Sequence, residues 1–293
     1  MDVVLVQYLL LGGVYALIAL GFILVFKSSG VLNLAHGRMV AIASYILYQM
    51  LEVWGLPPWL GILLVILSGA VLGYLIERLA VRPLLGQPFL SVMMMTLMLG
   101  MLLEGVRYLI WGPDSFTLSF APKAGQGWLG NLLPAWVSPS NALSFAVAML
   151  VFVLLTLLFR YTKVGLSMRV VAADPEVAQS LGIRVKRVFS ISWAMSGAFA
   201  ALCGVLMGMV LIVTPNTGDM VLGLGLPVLL LGGLNSIPGA VVGGLIIGLA
   251  QGLGSYYQPW GLDVKEITPW IVMLIILLIR PWGLFGEKRI ERI

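Results

Sequence analysis

The sequence has very little charge. Of its 293 residues only 10% are Asp, Glu, Lys or Arg, against roughly a quarter in a soluble domain, which excludes an ordinary water-soluble enzyme or scaffold. Residues for metal and thiol chemistry are almost missing. The one cysteine, Cys203, has no partner for an intrachain disulfide, and the one histidine, His36, excludes any site that needs two imidazoles. No G-x-x-x-x-G-K-[ST] phosphate loop occurs, so the chain does not supply ATP hydrolysis itself. No G-x-S-x-G motif occurs either, and Ser28 and Ser29 lying near His36 in sequence do not make a serine dyad. No low-complexity tract or soluble domain of useful size interrupts the chain. These absences leave no catalytic residues, no metal site and no cofactor to expect on this chain.

What the sequence does have is apolar runs. Hydrophobic residues make up 60% of the chain and the mean hydropathy is +1.06. The runs are roughly 20 residues long, the length a helix needs to cross about 30 Å of hydrocarbon. They do not alternate apolar with polar residues, as outer-membrane barrel strands would. Nine segments can be drawn, at about 4–26, 39–54, 59–79, 89–111, 141–159, 188–213, 221–234, 239–257 and 267–280. The expected fold is all-α: one transmembrane domain over 1–293, a polytopic membrane helical bundle of 8–9 spans. The second and seventh segments are short, so each either crosses fully or re-enters.

Asp2 leads the first segment where a signal peptide would carry positive charge, and no A-x-A cleavage pattern follows, so a retained first span is expected. Placing the N-terminus outside and the C-terminus in the cytoplasm puts every basic residue except Arg107, Lys123 and Lys265 on the inner side, Arg38 among them. That bias follows the positive-inside rule. The net charge of +5 therefore reports orientation, and no nucleic-acid partner is expected. The external segment 112–140 is rich in Pro, Gly and Trp, and Trp111, Trp128 and Trp136 suit anchoring at the outer interface with membrane lipid.

The substantial cytoplasmic excursion is 161–187. Within it Asp174-Pro175-Glu176 has the pattern of a helix start: Asp caps free N–H groups, Pro suits the first helical position, and Glu complements the positive end of the dipole. Gly182 fits a stop, giving a helix of about two turns over 175–181, with Gln179 and Leu181 on it. Such a helix is either a simple interfacial turn or a projection on which a motor subunit docks.

Two stretches break otherwise apolar sequence. They are Lys27-Ser-Ser-Gly-Val-Leu-Asn33-Leu-Ala-His36-Gly37-Arg38 and Leu231-Gly-Gly-Leu-Asn235-Ser-Ile-Pro238-Gly239-Ala240. Non-helical backbone at membrane depth is tolerated where it is buried in protein or lines a wet cavity, and paired interruptions in two halves of a transporter point to its pathway. Asn33, His36, Gly37 and Asn235 are accordingly candidate pathway residues; two ordinary cytoplasmic turns are the alternative. Glu104 and Arg107, three apart on one helix face, form a candidate ion pair near the outer interface. Gly204 with Gly208, and Gly239, Gly243 and Gly244 near Gly248, allow close helix approach.

Taken in order, several motifs resemble the permease subunits of the branched-chain (hydrophobic) amino-acid ABC importers over most of the chain. They are Gly12-Gly-Val-Tyr15-Ala-Leu-Ile-Ala-Leu-Gly21, Asn33-Leu-Ala-His-Gly37, Arg82-Pro83, Ala172-Ala-Asp-Pro-Glu176 with Leu181-Gly-Ile183, Leu231-Gly-Gly233 with Pro238-Gly-Ala240, and Arg280-Pro-Trp-Gly-Leu-Phe-Gly286. The chain looks most like the shorter H-type subunit. The resemblance implies a bacterial or archaeal cytoplasmic-membrane importer working by alternating access. Its partners would be a second, related M-type permease subunit, two ATPase subunits carrying ATP and Mg, and an extracytoplasmic substrate-binding protein. On that resemblance Asp174, Pro175, Glu176, Gln179, Leu181 and Gly182 look like the coupling helix seated in an ATPase groove. The chain departs from the family pattern at Leu34, where an aromatic is common, at Arg38, where an acid is common, and at Asn235, where Gly is common. Urea and short-amide importers share this architecture and remain an alternative. An ion-coupled secondary transporter is a second one; it needs a titratable residue at mid-membrane, and Glu104 comes nearest.

Overall fold

The computed structural model describes residues 2–84, 86–122, 130–131, 133–257 and 264–286. Lys123, Trp128, Lys288, Arg289 and Arg292 lie outside the described residues. Among those described the chain is helical, and its β-structure is a single antiparallel bridge between Phe116 and Val213. The helices are α1 (Asp2–Ser29), α2 (His36–Tyr48), α3 (Pro58–Ile76), α4 (Phe89–Trp111), α5 (Pro139–Tyr161), α6 (Lys163–Ala173), α7 (Pro175–Ser180), α8 (Val185–Val210), α9 (Thr217–Gly232), α10 (Ile237–Tyr256) and α11 (Thr268–Ile279). α2 continues through a π-type turn, Gln49–Val53, and α3 through another, Glu77–Val81. Six helices are long and apolar enough to cross a membrane: α1, α3, α4, α5, α8 and α10. α9 and α11 are shorter apolar helices. The protein is a multi-pass membrane protein, because in hydrocarbon every backbone group must be satisfied within the chain and a helix does this segment by segment.

The chain forms two compact units. The first comprises Met1–Ile23, Pro122–Phe152 and Gly223–Ile293. Its centre is α1, where Val14 to Leu20 are buried without exception. Glycine makes that burial possible: a Cβ at Gly12 would meet the carbonyl of Gly244, and one at Gly248 the carbonyl of Tyr8, so α1 and α10 cross backbone to backbone. The Tyr15 hydroxyl donates to Gln251 Oε1 at 2.5 Å across the same crossing. The second break falls in this unit. α9 ends at Gly232, Gly233 adopts φ 101°, and Ser236 caps α10 by accepting from the Gly239 N–H at 3.0 Å. The tail after α11 returns to this break. The N–H of Leu284 donates to Leu231 O at 2.8 Å and that of Phe285 to Gly232 O at 3.2 Å. The Arg280–Gly286 motif thus occupies carbonyls that the end of α9 leaves open.

The second unit comprises Leu24–Ala121 and Val153–Leu222. Its tightest seam joins α3 and α8. A Cβ on Gly69 would meet Gly197 O and Ala201, one on Gly73 would meet Trp193 O, and one on Gly197 would meet Gly69 O. Both helices carry small residues four apart here, Gly69 and Gly73 facing Gly197 and Ala201, which is what lets two spans approach without a hydrophobic driving force between them. Gly204 serves α2 in the same way, against Val40 O and Ala43, and Ser44 Oγ donates to Gly204 O at 2.9 Å.

At one end of this unit the residues after α4 close over α2. Phe116 stacks on Tyr48 with ring centroids 4.0 Å apart, Trp111 Nε1 donates to Gln49 Oε1 at 3.2 Å, and Glu52 Oε1 accepts from both the N–H and the hydroxyl of Ser119 at 2.7 Å. Trp136, in the first unit, is half exposed and its carbonyl accepts from Gln7 Nε2 at 2.7 Å.

Candidate functional site

Residues 30–35 between α1 and α2 are not an end-of-helix turn. They lie against the side of α4. Thr96 Oγ1 is 3.2 Å from both Leu32 O and the N–H of Leu34, and Gly100 faces Ala35. Thr96 is seven residues, about 10 Å, along α4 from Phe89, so the irregular backbone sits within the thickness that α4 crosses. That is where such backbone must be buried in protein. Asn33 and His36 are fully buried, and Asn33 Oδ1 accepts from the Ala35 N–H at 3.1 Å, turning the chain into α2. Gly37 is buried against the carbonyl of Gly218 at the start of α9. The structure therefore brings three of the pathway candidates together as the packed hinge of a broken helix. Asn235 is an exposed residue in the second break, in the first unit.

The next residue, Arg38, organises a charge cluster that sequence reading did not find. Its guanidinium reaches Glu104 Oε2 at 3.2 Å and Asp219 Oδ1 at 2.5 Å. Glu104 Oε1 in turn accepts from Arg107 Nη2 at 2.6 Å and Nε at 2.9 Å. Arg107 is 2% exposed; its remaining nitrogen donates to Gly112 O at 2.9 Å, and its guanidinium lies 5.1 Å from the Tyr45 ring centroid. The expected Glu104–Arg107 pair is present, but as two links of a four-residue chain, Asp219–Arg38–Glu104–Arg107, that ties α2, α4 and α9 together.

This geometry gives the level of Arg38 along α4. Glu104 is fifteen residues from Phe89, about 22 Å along α4, and Phe89 comes seven residues after Arg82. Arg38 shares the level of Glu104 and not that of Arg78 and Arg82.

The excursion after α5 is a chain of short capped helices. Thr162 caps α6, accepting from the Gly165 N–H at 3.1 Å. Asp174 Oδ1 accepts from the N–H groups of Glu176 at 2.8 Å and Val177 at 3.1 Å, and Pro175 occupies the first turn of α7. Gly182 follows with φ 79°, its N–H donating to Gln179 O and that of Ile183 to Ala178 O, the closure typical of a left-handed stop. Of α7 only Ala178 is buried. Val177 is 49% and Leu181 66% exposed, so this capped helix presents apolar side chains outward.

Among the described residues no group of three or more His, Cys, Asp or Glu could hold a metal ion. The comparisons with known proteins agree with the geometry. Residues 4–278 match the family model described as the permease component of the branched-chain amino acid transport system. The chain is 31% identical to the high-affinity branched-chain amino acid transport system permease LivH of Escherichia coli K12, covering 97% of this chain and 94% of the relative. It is 32% identical to the probable LivH of Methanocaldococcus jannaschii, covering 94% and 90%. The branched-chain permease BraD of Pseudomonas aeruginosa is 29% identical, covering 99% and 97%. No solved structure matches the chain significantly. A matched family model over nearly the whole chain, and relatives aligned end to end, place this protein in the family of branched-chain amino-acid ABC importer permeases.

Proposed function

We propose that this chain is one of the two membrane subunits of an ATP-driven importer that carries branched-chain or other hydrophobic amino acids across a bacterial or archaeal cytoplasmic membrane by alternating access. The relatives' named substrates support the solute class. Nine apolar segments, with the N-terminus outside and the C-terminus inside, fit the six long helices together with α2 and its π-type extension, α9 and α11. The basic residues at the Arg82 and Arg184 ends of α3 and α8 then face the cytoplasm. A related M-type permease completes the pathway, two ATPase subunits bind ATP and Mg, and an extracytoplasmic binding protein supplies affinity and most of the specificity. The Asp219–Arg38–Glu104–Arg107 chain crosses three helices of the second unit, and its Asp219 end is the most exposed.

The observation that carries this reading is α7: a helix fixed at both ends by Asp174 and Gly182, yet exposed except at Ala178, with Val177 and Leu181 turned outward. A helix so well capped and so little buried is stabilised for contact with another protein. The Asp174→Lys, Glu176→Lys double variant removes the cap, reverses two charges at the dipole's positive end and mismatches the contact, at a cost on the order of several kcal/mol at the interface. Substrate-stimulated ATPase activity of the assembled importer is expected to collapse while the membrane subunit still accumulates. Undiminished stimulation would show that α7 does not couple the two.

A further inference from the structure

The second unit holds a cavity of about 770 Å³ that is separate from the charge cluster; Gln179 of α7 and Ile183 line part of it. Its remaining walls are the ends of α3 and α8, and its two sides differ sharply in chemistry. One wall is apolar, built from Tyr74 and Ile191. Tyr74 lies among outward-facing Val71 and Leu75 on α3, which are 56% and 42% exposed, so this wall opens onto the surface a span presents to lipid. The other end is lined by Arg78, Arg184, Lys186 and Arg187. From Tyr74 to Arg82 is eight residues, about 12 Å along a helix, so the cavity runs from span side chains to their charged ends.

The four cations are available. Arg82, which also lines the cavity, is already neutralised: its Nε and Nη2 each donate to Glu77 at 2.9 Å, and Glu77 is 1% exposed. Among the described residues no carboxylate pairs with Arg78, Arg184, Lys186 or Arg187. Arg184 is the cap position of α8 and Lys186 and Arg187 belong to its first turn, so the positive end of a 26-residue helix adds to the same field. A second cavity, about 420 Å³, shares Arg184 and Arg187 from the other side.

We propose that this cavity is a binding site for the phosphate headgroup of an anionic phospholipid, with the acyl chains against Tyr74 and Ile191. Unpaired cations at a span's end would attract any phosphate. The apolar wall is what selects an amphiphile over a free anion, and Tyr74 stands beside Val71 and Leu75 on the outward face of α3. Basic pockets between spans on the cytoplasmic side take anionic headgroups in this way.

The test uses the full chain in detergent, with phosphatidylglycerol, phosphatidylcholine or inorganic phosphate added. Retained lipid is read by native mass spectrometry, and arginine protection by phenylglyoxal labelling. Phosphatidylglycerol is expected to be retained and to protect Arg184 and Arg187, with phosphatidylcholine and phosphate doing neither. The Arg184→Gln, Arg187→Gln variant should bind phosphatidylglycerol about 25-fold more weakly, about fivefold for each cation removed at the headgroup layer. An Arg160→Gln, Arg280→Gln variant, with the same charge change elsewhere, should bind as the parent does. Equal retention of phosphatidylcholine, equal protection by inorganic phosphate, or unchanged binding by the Arg184→Gln, Arg187→Gln variant would each overturn the proposal. Protection by added ATPase subunits alone would overturn it too, and would assign the cavity to a protein contact. Matching elution profiles of the two double variants show that any loss is not misfolding.

Discussion

Gly197→Leu is expected to abolish the monodisperse, folded protein, whereas Gly105→Leu should leave it intact. Gly197 has no free space: a Cβ there would strike the carbonyl of Gly69 and approach the Cα of Gly73, both backbone. Backbone cannot step aside as a flexible side chain can, so α3 and α8 must separate along a seam that holds the second unit together. Over-packing a core typically costs about 1–3 kcal/mol, and more where nothing can yield. Gly105 is also a helical glycine in a span, on α4, but nothing lies within 4 Å of its added Cβ. The comparison isolates helix–helix contact from the removal of a glycine as such. Fluorescence-detected size exclusion after detergent extraction reads the outcome. A Gly197→Leu protein that elutes as the parent does would mean that α3 and α8 do not pack through their glycines.

Glu104→Gln is expected to cost about as much stability as breaking any buried ion pair, about 3–5 kcal/mol, and far more than Asp219→Asn. The reason lies in the partner left behind. Arg107 is 2% exposed and donates two of its hydrogen bonds to Glu104 Oε1. With the carboxylate charge gone, a guanidinium remains buried with only neutral partners, an amide oxygen at position 104, Gly112 O and the face of Tyr45. Asp219 is different: its side chain is 62% exposed, and an exposed partner of Arg38 contributes little. Replacing both members of the buried pair, in Glu104→Gln with Arg107→Met, should recover part of the loss, because no charge is then stranded. Thermal unfolding of the four proteins in one detergent gives the ranking. If Glu104→Gln and Asp219→Asn melt alike, the charge chain is not anchored at Arg107. Glu104→Gln also bears on the ion-coupled alternative, since loss of a proton-dependent uptake in that variant would revive it.

Much of the fold was legible because the bilayer leaves a chain few options. A run of about 20 apolar residues in hydrocarbon becomes a helix whatever its neighbours do, and α1, α4 and α5 lie where their runs predicted. α7 was legible for another reason: Asp174, Pro175 and Gly182 act on backbone groups within a few residues of themselves. Long-range pairing had no such signal. Arg38 meets partners 66 and 181 residues away, Glu104 and Asp219, and nothing local to Arg38 specifies either one. Its expected side came instead from placing the N-terminus outside. The glycines show the same limit. Gly204, Gly244 and Gly248 do sit at close crossings, but the closest seam, Gly69 and Gly73 with Gly197, is built from pairs that only tertiary contact distinguishes from the many other small residues. The meeting of the Arg280–Gly286 motif with Leu231–Gly233 likewise joins two motifs that sequence offers only as separate points of resemblance.

Uptake of labelled leucine tests the central claim most directly, in cells with no redundant leucine carrier and with this gene present or deleted. The import reading predicts that deletion abolishes uptake, and that in the parent unlabelled valine competes while ribose does not. Unchanged leucine uptake after deletion would contradict it; if urea or a short amide then lost its own uptake, the same architecture would be carrying a different solute.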